Sequence, residues 1–96
     1  MPISYEIKEK RDKILSIASK HGASQVRVFG SMVRGDHKPN SDVDILVNLD
    51  KERTLFDLIA LKNDLEQLLC RKVDIVTENS VHRHLKDRIL SEAEEV

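Results

Sequence analysis

The sequence predicts a small α/β domain: a mixed sheet of three or four strands packed on one face by helices. Two observations carry this. Short β-branched, apolar runs occur at 25–29, 42–49 and 72–77, and segments with helical spacing of apolar residues lie before, between and after them. Strands separated by helices build a sheet whose hydrophobic face must be covered by those helices. One domain over residues 1–96 accommodates the whole pattern.

The first segment, 5–21, is expected to be one helix. Ser4 is placed to cap it, Glu6 sits in its first turn, Ile7, Ile14, Leu15 and Ala18 share a face, and Gly22 ends it. A strand at 25–29 follows, then the Gly30-Ser31 turn, a helix-sized turn at 32–34, and a polar loop at 35–41 containing Pro39-Asn40. In the strand at 42–49, alternation sets Val43, Ile45 and Val47 on one face and Asp42, Asp44 and Leu46 on the other. Thr54-Leu55-Phe56-Asp57 resembles a capping box for a helix over 54–69, with Leu58, Leu61, Leu65 and Leu68 as its packing stripe. The strand at 72–77 repeats the earlier phase, Val73 and Ile75 opposite Asp74 and Val76. A helix over 80–94, through Leu85, Ile89 and Leu90, closes the chain, with the acidic residues from Glu92 to Glu95 as a solvated end.

The chain has 96 residues, 34% of them charged, and a formal net charge of −1. The absence of a basic surplus and the 3% aromatic content argue against a long nucleic acid as partner. With no secretory signal pattern and no apolar run of bilayer length, a cytoplasmic protein that does not associate with membranes is expected. Cys70 has no second cysteine to pair with and suits a small buried position. A core this small leaves little stability to spare, so self-association is compatible with the sequence.

Asp is depleted in strands, so two carboxylates side by side at 42 and 44 call for a reason. Neighbouring like charges raise each other's pKa unless a cation or strong donors offset them. Oxygen ligands of this type suit Mg²⁺ or Mn²⁺, and Mg²⁺ commonly takes one or two carboxylates together with substrate phosphates. Ten residues earlier, Gly30-Ser31 breaks a strand immediately before a helical turn. Glycine lets an anion approach the backbone, the N–H groups at the turn and the Ser31 hydroxyl donate to it, and Arg34 is near enough to add charge. His82 and His84, two positions apart on a helix, point in different directions and make a poor metal pair.

Gly30-Ser31, ten residues, then Asp42-x-Asp44 resembles the signature of the DNA polymerase β-like nucleotidyltransferase superfamily. Phe29-Gly30-Ser31-Met32-Val33-Arg34-Gly35 and Ser41-Asp42-Val43-Asp44-Ile45 are similar, more narrowly, to the minimal nucleotidyltransferases, the MNT family. The resemblance implies a third carboxylate on a neighbouring strand, which Asp74 supplies. It implies two divalent ions, Mg²⁺ or Mn²⁺, between Asp42, Asp44, Asp74 and ATP, with Gly30 and Ser31 on the departing phosphates and Arg34 beside them. It further implies an antitoxin that moves AMP onto a tyrosine of a HEPN-family partner. Two other readings stay open at this point: a non-catalytic module that inhibits its partner by contact, and nucleotide transfer to a small molecule.

Overall fold

The computed structural model describes residues 5–30, 33, 42–78 and 83–96. Ser4, Ser31, Arg34, the loop at 35–41 and His82 lie outside them, as does the start expected for the last helix. The elements run α1 (Tyr5–Glu9), α2 (Arg11–Lys20), β1 (Ala23–Phe29), β2 (Val43–Leu49), α3 (Leu55–Leu69), β3 (Val73–Thr77), α4 (Arg83–Glu92) and β4 (Glu94–Glu95). The four strands form one mixed sheet in the order β3-β2-β1-β4. β1 is antiparallel to β2 and β4, and β2 is parallel to β3.

One face of this sheet is the core. Val26, Val28, Val43, Ile45, Val47 and Val73 point into it and meet Ile7, Ile14, Ala18, Leu61, Leu65 and Leu69 from the helices. Nine of these twelve side chains were placed on apolar faces by their spacing or strand phase; Val26, Val28 and Leu69 were not. It replaces the expected Leu68 as the third fully buried leucine of α3, while Leu58 and Leu68 pack at the margin.

Two segments depart from expectation. The first helix is divided at Lys10, whose φ of −100° and ψ of 14° lie outside the helical well. Its side chain leaves the helix to donate from Nζ to the Leu68 carbonyl at 3.0 Å, satisfying an acceptor that the last turn of α3 cannot bond internally. The acidic C-terminal run is not a solvated helix end either. Glu94–Glu95 form a short edge strand on β1, and Val96 is buried behind it with its carbonyl accepting from Arg11 Nε at 2.8 Å. Burial of Val96 and pairing with β1 outweigh the helical preference of the glutamates.

β1 starts at Ala23, earlier than expected, and contains a bulge. Ser24 pairs with Asn48 but Arg27 with Leu46, so one residue of β1 is extra, and Gln25 takes a φ of 50°. The bulge shifts the strand phase by one. Ala23 faces the core before it, Val26 and Val28 after it, and this turns Arg27 and Phe29 onto the opposite face.

Candidate active site

The opposite face of the sheet carries the predicted carboxylates. Asp44 is the register partner of Phe29 on β1 and of Asp74 on β3. Partners in a parallel pair project to the same face, so Asp44 and Asp74 stand next to each other, Asp44 half-buried and Asp74 exposed. Asp42 lies just before β2 and is exposed. It shares the rim of an open cleft of about 670 Å³ with Asp74, and Lys62, Glu66, Cys70 and Lys72 contribute to the same cleft; Cys70, expected to be buried, is exposed as the left-handed cap of α3. Neither Asp42 nor Asp74 has a hydrogen bond or ion pair among the described residues, which leaves their oxygens open to the cleft.

Gly30 ends β1 against this pair. Its φ is +76°, and a Cβ built on it would run into Asp44 Oδ2 and come within 3.3 Å of Asp44 Cγ. Any other residue would be strained in this conformation and would push the carboxylate away. The Gly30 carbonyl accepts from Val33 N at 3.0 Å, closing the turn that the strand-to-helix reading anticipated. The structure therefore brings Gly30, Asp44 and Asp74 together, with Asp42 at the cleft edge. Ser31 and Arg34 fall outside the described residues.

Among the described residues no three His, Cys, Asp or Glu side chains gather closely enough to hold a metal by themselves. The donor set nevertheless suits a divalent cation that takes one or two carboxylates and completes its shell from phosphates and water. The missing Cβ of Gly30 lets the Asp44 carboxylate pack directly against the backbone at the end of β1.

Two residues that carry no motif signal position this face. Glu66 Oε2 accepts from Val73 N at 3.0 Å, tying the last turn of α3 to the first residue of β3, and Val43 N donates to the Lys72 carbonyl at 2.9 Å. Together they set the register that aligns Asp44 with Asp74. Arg27 crosses β2 to reach Glu78, with Nη1 donating to Oε1 at 2.9 Å and Nε to the Gln25 carbonyl at 2.9 Å. It is the cross-strand partner of Leu46, which is 1% exposed although it lies on the site face. A charged residue in a strand gives no hint of such a role in sequence.

A family model for the nucleotidyltransferase domain matches residues 7–96. The chain belongs to the nucleotidyltransferase family. Its relatives place it in the minimal branch. It is 47% identical to MJ0435 of Methanocaldococcus jannaschii, a candidate protein adenylyltransferase by name, over 94% of this chain and 97% of that one. It is 38% identical to the protein adenylyltransferase MntA of Thermococcus cleftensis, over 79% and 77% of the two chains. Among solved structures, one described as a minimal nucleotidyltransferase superposes with a TM-score of 0.86 at 42% identity, covering 94% of this chain and 92% of the other. This nucleotidyltransferase also shares its fold, with a TM-score of 0.76 at 23% identity, with a chain of a toxin–antitoxin complex crystallised with AMP-PNP; the match covers 88% and 69% of the two chains. No helix among its described residues is long and apolar enough to cross a membrane.

Proposed function

We propose that this minimal nucleotidyltransferase moves AMP from ATP onto a hydroxyl of a partner protein, a tyrosine of a HEPN-family toxin, and thereby acts as its antitoxin in the cytoplasm. The observation that carries the chemical part is the pairing of Asp44 with Asp74 beside Gly30. Relatives named protein adenylyltransferases support the reaction class, and the likeness in fold to chains of MntA–HepT complexes supports a toxin as acceptor.

In this reading Asp42 and Asp44 would hold Mg²⁺ on the triphosphate side, and Asp74 would hold it on the acceptor side. When bound, the cation neutralises charge on the phosphates and on the leaving group. The Gly30 amide and Ser31 would donate to the β and γ phosphates beside Asp44, with Arg34 adding positive charge. Asp74, at the open cleft, orients the acceptor hydroxyl and takes its proton. The hydroxyl oxygen bonds to the α-phosphorus, the bond from that phosphorus to the bridging oxygen of the β-phosphate breaks, and pyrophosphate leaves.

Co-expression with the product of the neighbouring gene, followed by mass spectrometry of that product, tests the reading. An AMP-sized increment on a tyrosine, absent with Asp42→Asn of intact fold, is expected. A bound but unmodified partner would instead make the chain a contact inhibitor.

A further inference from the structure

Helix α3 reaches the site at its C-terminal end and carries an apolar surface at its N-terminal end. The large hydrophobic side chains left exposed among the described residues are Leu55 at 68%, Phe56 at 81% and Ile59 at 47%, all in the first turns of this helix. Every helical position has neighbours three and four residues away on the same face. Leu55, Ile59, Lys62 and Glu66 follow that spacing, and the last two belong to the wall of the cleft that holds Asp74. The exposed apolar cluster and the catalytic cleft are thus two ends of one helix face, which flanks the buried stripe of Leu61, Leu65 and Leu69. The eleven-residue step from Leu55 to Glu66 spans about 16 Å at the helical rise per residue.

Exposed apolar clusters with polar surroundings mark interaction surfaces, and aromatic residues are enriched at the centres of such interfaces. The continuity with the cleft identifies the occupant. A protein that inserts a hydroxyl beside Asp74 has to lie over the cleft mouth, and the adjoining surface on the α3 side is this face. A partner patch of standard size, about 800 Å² on each side, covers both ends at once. A second copy of the chain seated there would instead lie across the entrance.

We propose that the outer face of α3 is the docking rail for the acceptor protein, with Leu55, Phe56 and Ile59 as its apolar anchor and the Lys62–Glu66 segment guiding the hydroxyl-bearing segment toward Asp74. This rests on the protein-acceptor reading above. The rail explains why a helix whose other apolar residues are covered leaves three of them in solvent.

The test measures binding and transfer separately, using the protein encoded by the neighbouring gene as the acceptor. Phe56→Asp is a suitable variant, because the side chain is in solvent and an acidic residue in the first turn of a helix is favourable to the fold. Leu55→Ser with Ile59→Ser serves as a second, independent change. Both are expected to weaken partner binding at least tenfold by calorimetry and to raise the KM for the acceptor equally. The kcat, the affinity for a fluorescent ATP analogue with Mg²⁺ and the mass by light scattering stay at wild-type values. If the wild type binds the partner without transferring AMP and the variants lose that binding, the rail stands and the transferase reading falls. Wild-type affinity in both variants, or no binding by the wild type, overturns the rail. So does a wild-type dimer that the variants dissolve without loss of partner binding, which would assign the face to self-association.

Discussion

Asp44 and Asp74 are register partners across the parallel β2–β3 pair, and the backbone of Gly30 packs against the Asp44 carboxylate from the other side. Residues about thirty positions apart in sequence therefore form one small acidic surface. Asp44 is enclosed on the glycine side, while Asp74 opens toward a cleft large enough for a side chain of another molecule.

This asymmetry assigns different consequences to the two carboxylates. Replacement Asp74→Asn is expected to lower kcat for transfer to protein by roughly 10²- to 10⁴-fold, the range typical of a positioned base, while affinity for an ATP analogue is kept. Steady-state kinetics with labelled ATP separates the two. A variant that loses nucleotide affinity but keeps kcat would place Asp74 on the nucleotide and not on the acceptor.

Gly30→Ala joins two penalties at one position. The left-handed backbone costs a residue with a Cβ about 1–2 kcal/mol, and the added carbon meets the Asp44 carboxylate. A lowered denaturation midpoint together with loss of transfer is expected. Wild-type activity in Gly30→Ala would show that the Asp44 position tolerates displacement.

Glu66 has no place in the motif, yet it holds the start of β3. Removing its carboxylate in Glu66→Ala leaves the Val73 amide without its partner and is expected to cost about 1–3 kcal/mol in urea unfolding. Faster hydrogen exchange at Val73 would accompany it. Unchanged exchange would show that the strand register is held elsewhere.

The start of α3 has its own pH dependence. The Thr54 amide donates to Asp57 Oδ2 at 3.0 Å and holds this carboxyl below its ordinary value of 3.8, partly opposed by desolvation and aided by Arg53. A depressed carboxyl stabilises the fold above pH 3.8, and this contribution disappears as the pH falls through the folded value. Carbon-detected NMR titration should give a midpoint below 3.8 for Asp57, and Asp57→Asn should abolish that acid-side change in local exchange. A midpoint at or above 3.8 would remove the capping role.

Much of this arrangement was legible in the chain. The phase of 43–47 and 73–76 put Val43, Ile45, Val47, Val73 and Ile75 on the core face and Asp44 and Asp74 on the other. The capping box at Thr54 and the end of the first helix at Gly22 were also readable, because caps and turns act within a few residues. The bulge at Gln25, the break at Lys10 and the edge strand at Glu94–Glu95 were not. Each depends on a partner far along the chain: Asn48 and Leu46 for the bulge, the Leu68 carbonyl for Lys10, and β1 for the glutamates.

By itself the sequence determined the fold class, the faces of the central strands, and the spaced glycine and carboxylates by which the chain resembles nucleotidyltransferases. These follow from side-chain periodicity and local backbone preference, which need no knowledge of neighbours. Only the tertiary structure decided that Asp44 pairs with Asp74, that Glu66 sets this register, and that the exposed residues Leu55, Phe56 and Ile59 share a helix face with the cleft wall. Register between strands and the covering of a helix face are fixed by long-range hydrogen bonds and by what the rest of the chain leaves unburied.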